Sequence, residues 1–301
     1  MKRLFFILLP IMFFAASCED DAVPSLTPPV GTGLIYYVFD TSPDIVYDNL
    51  INALTVNPNI GIVAEVNHQQ NAMNNGLNLR YTREVFFGNP ALGTPLMMEN
   101  RLAGIDLPQK VVVYTSDSDE SYLVYNSTRY LEKRHSLTAP SLEMISGALE
   151  TLASDASGRT EFRLRDSDIT AGEGIITVVS NRNFDETYTA LVNAIDGNAN
   201  LTIVAELDHQ ANAGTVNMVL PPTKLIMFGN PNLGTPLMEN SAGTAIDLPQ
   251  KMLIWEDSGT VNISYNDPNY IADRHDLTGV DEQLNMIAIA LSNLANGAAG
   301  N

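Results

Sequence analysis

The chain has 301 residues, 45% hydrophobic and 17% charged, and its 35 carboxylates against 16 lysines and arginines give a formal net charge of −19. Such a composition suits packed cores and excludes a disordered chain, and the acidity excludes a general attraction to nucleic acid or anionic lipid. A single cysteine, Cys18, excludes internal disulfides, cysteine-ligated zinc and iron–sulfur clusters.

The first segment reads as a signal. Lys2-Arg3 is a basic start, and the apolar run Leu4 to Ala16 is too short to anchor stably across a bilayer. Ala15-Ala16-Ser17-Cys18 has the form of a bacterial lipobox. Residues 1–17 are therefore expected to be cleaved as a lipoprotein signal peptide and Cys18 to be lipidated. Cleavage removes Lys2 and Arg3 and takes the net charge to −21. Glu19-Asp20-Asp21 follows at once and resembles the surface-export signal of some bacterial lipoproteins. The expected location is the bacterial cell envelope, lipid-anchored to the outer or cytoplasmic membrane through Cys18, with surface exposure one of the arrangements left open. Residues 18–32 carry three prolines and read as a tether.

The folded elements begin near Gly33. Leu34 to Phe39 is a β-rich run, and Ser42-Pro43-Asp44 is a helix start with a capping side chain and proline in the first turn. A helix over 45–54 follows and is broken at Asn57-Pro58-Asn59. Strands are expected at 60–66, 83–87, 110–115 and 121–125. Residues 142–153 form the closing helix, with Ile145, Leu149 and Leu152 at helical spacing. A linker over 158–171 contains a short run, 162–164, able to add an edge strand. Strands at 174–179, 201–207, 223–228, 251–256 and 260–265 and helices at 185–195 and 281–295 complete the chain. Asn183 and Glu186 stand at capping-box spacing at the start of helix 185–195.

This second series repeats the first. Phe87 to Met97 returns as Phe228 to Met238 with one difference, and Ile105-Asp106-Leu107-Pro108-Gln109-Lys110 returns unchanged as Ile246 to Lys251, both at an offset of 141. The chain is a tandem of two domains, 33–157 and 172–301, each reading β-α-β-β-β-β-α. The fold class is α+β, a mainly antiparallel sheet with helices on one face. The two repeats are expected to pack on each other as a pseudo-dimer. Gly88, Pro90, Gly93 and Pro95 read as tight turns, and Leu96, Met97 and Leu107 as core.

The four histidines also form repeated pairs, His68 with His209 and His135 with His275. With the repeated Asp106/Asp247 and Lys110/Lys251 they are candidate ligand-binding residues, and the histidines are candidate metal ligands. Glu65 and Glu206 stand three residues before His68 and His209, a metal spacing on a helix; on a strand the two side chains face opposite ways unless the strand ends between them. Tyr265 and Asp267 complete the candidates in the second copy. That copy has Trp255-Glu256-Asp257 where the first has Tyr114-Thr115-Ser116, and Asp267 where the first has Ser127. If either copy binds a ligand, the second is expected to bind better.

Taken together, Glu65/Glu206, His68/His209 with Ala72/Ala213, the FGNP-x-LGTPLM block, the DLP-x-K block and Tyr265-Asn266-Asp267-Pro268-Asn269-Tyr270 ending in Arg274-His275 resemble the family known as domain of unknown function 302 (DUF302). The resemblance covers nearly all of each copy. It implies an α+β fold similar to the TATA-binding-protein-like class, in topology only, and brings no established activity. No nucleophile elbow, phosphate loop or dinucleotide motif is present, so an acid–base enzyme built on histidine and carboxylate is the weakest reading. A small-ligand or metal-binding module is favoured, with a structural or interaction module as the alternative. The sequence requires no cofactor and leaves a metal ion open.

Overall fold

The computed structural model describes residues 29–160, 162–165 and 169–301. The signal peptide of residues 1–17, Cys18 and the tether as far as Pro28 lie outside the described residues.

The first repeat runs β1 (Leu34–Phe39), α1 (Pro43–Val56), β2 (Gly61–Asn67), α2 (His68–Asn74), β3 (Thr82–Gly88), α3 (Pro90–Glu99), a 3-10 turn (Arg101–Ile105), β4 (Gln109–Thr115), β5 (Ser121–Asn126), α4 (Thr128–His135) and α5 (Ser141–Ser157). The linker supplies β6 (Arg163–Arg165). The second repeat runs β7 (Ile175–Val179), α6 (Phe184–Asp196), β8 (Thr202–Asp208), α7 (His209–Thr215), β9 (Thr223–Gly229), α8 (Pro231–Asn240), a 3-10 turn (Ala242–Asp247), β10 (Gln250–Asp257), β11 (Thr260–Asn266), α9 (Pro268–Arg274) and α10 (Asp281–Ala299). All described pairings are antiparallel, in the orders β2-β3-β4-β5-β1-β6 and β7-β11-β10-β9-β8. The α+β class and the tandem arrangement hold, and β6 is the edge strand that the linker run suggested.

Each repeat has three more helices than the sequence pattern gives. The largest difference lies in the FGNP-x-LGTPLM blocks, which are helices and not tight turns. Asn89 caps α3 by accepting from the Ala91 backbone N–H at 2.9 Å, and Asn230 caps α8 in the same way at 3.0 Å. Pro90 and Pro231 occupy the first turn, where a missing N–H costs nothing. Pro95 and Pro236 are tolerated inside these short helices. The capping box of Asn183 and Glu186 is present, whereas Ser42 makes no side-chain cap bond.

α1 and α5 cover one face of the first sheet. Their buried residues, Val46, Leu50 and Leu54 on one and Ile145, Leu149 and Ala153 on the other, recur every four residues and meet Tyr37, Val85, Val111 and Leu123 of the strands. α6 and α10 repeat the arrangement on the second sheet. The opposite sheet faces are apolar too, and they bury each other. Val112, Tyr114, Tyr122 and Val124 pack with Ala245 and Ile246 of the second repeat's 3-10 turn and with Leu248 directly after it. Reciprocally, Ile105 of the first repeat's 3-10 turn packs with Leu225, Met227 and Leu253. The molecule is therefore layered helices, sheet, sheet, helices, with the two 3-10 segments exchanged between the sheets.

Full burial of a side chain the size of valine or isoleucine contributes roughly 1.5–3 kcal/mol, so these faces cannot be left in water at little cost. Residues 29–160 produced alone should therefore aggregate or pair with a second copy. Light scattering after size-exclusion chromatography measures this, and a stable, soluble monomer of that fragment would contradict the interface described here.

Candidate functional site

A buried polar cluster sits at the centre of the interface. Arg134 lies in the last turn of α4, and its guanidinium donates to Asp106 Oδ2 at 2.8 Å within its own repeat. Its remaining bonds cross to the second repeat: Nε and Nη2 to the Glu173 carbonyl at 3.0 and 2.9 Å, and Nη2 to Asn266 Oδ1 at 2.8 Å. Arg274 mirrors it. It donates to both Asp247 oxygens at 2.9 and 2.8 Å, to the Thr32 carbonyl at 3.1 and 2.9 Å, and to Asn126 Oδ1 at 2.6 Å. The Tyr130 and Tyr270 hydroxyls meet at 3.0 Å, and Arg274 lies 4.1 Å from the Tyr130 ring centroid and Arg134 4.7 Å from that of Tyr270. The backbone approaches these rings at Gly33, where φ is +75° and a Cβ would stand 2.7 Å from the Tyr130 ring. Gly174 holds the equivalent place beside Tyr270.

The second pair of histidines belongs to this cluster. His135 Nε2 and His275 Nε2 lie 2.7 Å from Asp106 Oδ2 and Asp247 Oδ2, and His275 Nδ1 also meets the Val30 carbonyl at 3.1 Å. Burial alone would raise both aspartates; Arg134 and His135 outweigh it for Asp106, and Arg274 and His275 for Asp247, and hold both carboxyls below their ordinary range. Lys110 and Lys251 are buried beside them, and Lys110 Nζ has no acceptor. Burial, and then Lys110, push Lys251 down to about 7.

Two pockets open away from this cluster, one per repeat, and each is closed by the other repeat. The larger, about 780 Å³, is lined by the start of α3 from Asn89 to Thr94, by Leu107, Pro108 and Gln109, by the α5 face at Ile145 and Leu152, and by His209 and Asn212 of α7. The smaller, about 310 Å³, repeats this plan with Asn230 to Thr235, Leu248 to Gln250, α10 at Ile287 and Leu291, and His68 and Asn71 of α2. Most of the lining is apolar, with isolated polar atoms left over. Thr94 Oγ1, Gln109 Nε2 and His209 Nε2 in the larger pocket, and Thr235 Oγ1 and Gln250 Nε2 in the smaller, are buried without a hydrogen-bond partner. Buried polar atoms are nearly always paired, so orphans on residues that line one cavity make it the candidate ligand position.

Strand ends explain the Glu-x-x-His runs. β2 stops at Asn67, which caps α2, so His68 leaves the strand. It faces Glu84 of β3 at 3.3 Å and not Glu65, which accepts from Tyr47 at 3.1 Å. Burial raises the Glu84 carboxyl. His209 opens α7 in the same way, but the residue equivalent to Glu84 is Leu225; burial pushes His209 down to about 4 against an opposing bond to the Gly104 backbone.

The ten candidate residues thus divide. His68 and His209 reach the pockets; Asp106, Asp247, Lys110, Lys251, His135 and His275 form the interface cluster; Tyr265 packs in the core of the second repeat. Asp267 caps α9 through the Asn269 N–H at 2.9 Å, a role that Ser127 fills for α4 through Tyr130 at 3.1 Å. The structure does not bring the two histidines of a repeat together, and among the described residues no group of three or more His, Cys, Asp or Glu side chains is placed to hold a metal ion. Thr94, Gln109, Arg134 and Asn126, with their counterparts, were passed over in the sequence although each repeats unchanged.

Asp247→Asn leaves a buried guanidinium without its carboxylate. It should cost about 3–5 kcal/mol in urea unfolding of the whole chain, and a loss within error of zero would remove the cluster from its structural role. Lys251 gives a pH signature. Between about 7, its position in the fold, and 10.5, its ordinary value, the unfolded chain holds a proton that the folded chain has released. Stability therefore rises with pH in that window, by at most about 1.4 kcal/mol per pH unit for one group. Urea midpoints from pH 7 to 9 should climb for the native chain and less steeply for Lys251→Met.

The model of the family described as domain of unknown function DUF302 matches residues 36–152 and again 176–294. A fluoride-specific ion channel, FluC 1, of Brucella suis biovar 1 (strain 1330) is 40% identical over 105 residues, 35% of this chain and 41% of that protein. FluC 1 of Brucella abortus biovar 1 (strain 9-941) is 40% identical over the same length, 38% of its chain. This chain thus spans about two fifths of the relatives it matches, and their named activity is not carried over. Among the described residues no helix is long and apolar enough to cross a membrane. A crystal structure of an uncharacterised conserved DUF302 protein from Bacillus stearothermophilus aligns with 42% of this chain and 98% of its own, at 14% identity and a TM-score of 0.39. With both repeats matched over nearly their full length, the chain belongs to the DUF302 family and carries its domain twice.

Proposed function

We propose that this protein is a lipid-anchored envelope protein that binds a small, largely apolar molecule in the pockets between its repeats. One observation carries the ligand reading: two equivalent pockets, each built from one repeat's FGNP-x-LGTPLM and IDLPQK segments and closed by the other repeat's histidine, hold buried polar atoms with no partner. The volume of the larger, about 780 Å³, lies in the range of small-molecule sites. The pocket sizes favour binding in the larger one, which is closed by His209 of the second repeat. The interface cluster is read separately, as structure, because its arginines bond its carboxylates and the asparagines across the interface, although Asp106 Oδ1, Asn126 Nδ2, His135 Nδ1 and Lys110 Nζ are also buried there without a hydrogen-bond partner.

Nile red, a neutral dye whose fluorescence rises in apolar surroundings, tests the pocket. It should bind the native chain saturably, and Ala148→Trp, which fills the pocket from the exposed side of α5, should abolish the signal without lowering the melting temperature. Undiminished binding by the tryptophan variant would defeat the proposal. The anchor is tested by Cys18→Ser, which should move the protein from the membrane fraction to the soluble one, since a lipidated cysteine is the only anchor the motif supplies.

A further inference from the structure

The lining of the larger pocket also limits the ligand's chemistry. No lysine or arginine lines it among the described residues, and its only carboxylate is Asp155, exposed on α5 at the mouth. An anion entering it would lose its hydration and gain no countercharge. The inner polar atoms are of both kinds. Gln109 Nε2 donates, Thr94 Oγ1 donates or accepts, and His209 Nε2 is the ring nitrogen left over once the other is bonded to the Gly104 backbone. That backbone contact acts to raise the ring's proton affinity; with Nδ1 protonated toward it, Nε2 is an acceptor. Burial keeps the ring neutral near pH 7, its value being about 4. Thr94 and His209 are themselves nearly fully buried, with exposures of 1% and 4%.

Resting on the pocket reading above, we infer that the larger pocket takes an uncharged amphipathic molecule whose polar end both donates and accepts a hydrogen bond, a primary alcohol or amide as against a carboxylate or an amine. The donor of such a group meets His209 Nε2, its acceptor meets Gln109 and Thr94, and its hydrocarbon part lies against Leu92, Ile145 and Leu152. An ammonium group has no acceptor to offer Gln109, and a carboxylate has no donor to offer His209.

Four eight-carbon probes differing at one end decide this: octan-1-ol, octanamide, octanoate and octylamine, each displacing Nile red from the native full chain at pH 7. The alcohol and the amide should bind at least about tenfold more tightly than either charged probe, the weight of one satisfied hydrogen bond against one stranded charge. His209→Phe keeps the ring shape and removes both nitrogens, and should cost the alcohol about tenfold while leaving Nile red bound. Thr94→Val, a smaller change at a neighbouring wall, should weaken the alcohol and the amide in the same sense and serves if the phenylalanine variant does not fold. Octanoate or octylamine binding as tightly as the neutral probes would overturn the inference and leave the pocket standing. So would equal affinities in native and variant chains. Nile red failing to bind the native chain would remove the pocket reading itself, and this inference with it.

Discussion

Two guanidinium groups govern this architecture. A buried arginine must be neutralised and must also place its donors, and neither repeat can do both alone. Arg134 and Arg274 each take a carboxylate from their own repeat and an asparagine from the other, with a backbone carbonyl from Glu173 of the second repeat for Arg134 and from Thr32, just before the first repeat, for Arg274. Docking and charge burial are consequently one event. The crossing bonds fix α4 and α9 across the interface and bring each 3-10 segment onto the opposite sheet. That same docking carries α2 and α7 over the far repeat, which is how a histidine from one copy comes to close a pocket in the other.

The long identical blocks gain a physical reason from this. The first begins with the cap of a short helix and continues as the wall of a pocket, so Asn89 and Thr94 answer to different demands within six residues. The second supplies Asp106 to the interface, Leu107 to Gln109 to the pocket floor, and Lys110 to the interface again. Alternation along β4 sends successive side chains to opposite sheet faces, and both faces have work to do. Few positions in such a segment are left to vary.

Much of the fold was legible for ordinary reasons. Periodicity located the long helices, α1, α5, α6 and α10, and β-rich runs located the strands. Among the short helices, α3 and α8 were missed because their sequences carry glycine and proline, which signal turns when no cap is recognised, with Asn89-Pro90 the available clue; α2, α4, α7 and α9 have only seven or eight residues, too few to show a helical period. The sandwiching of each sheet was also written in the chain: Val111, Val112 and Val113 are apolar without alternation, the mark of a strand covered on both sides. The site was half legible. The repeated histidines and aspartates are at the interface or the pockets, but sequence distance cannot tell which residues converge. Glu65 stands beside His68 in the chain, yet Glu84, from a different strand, is the carboxylate that reaches it. Orphaned donors such as Gln109 Nε2 are visible only once burial is known.

The contrast between Glu84 and Leu225 has a consequence for what the fusion permits. In a dimer of identical chains every substitution near the axis appears twice, so a buried carboxylate on one side forces a second on the other. Joining the copies lifts that restriction. One histidine of the pair keeps an acidic neighbour, whereas for the other the equivalent strand position is leucine and burial reduces its basicity. A single gene thus offers two chambers of one plan and different polarity, free to diverge in what each admits while sharing the lock that holds them together.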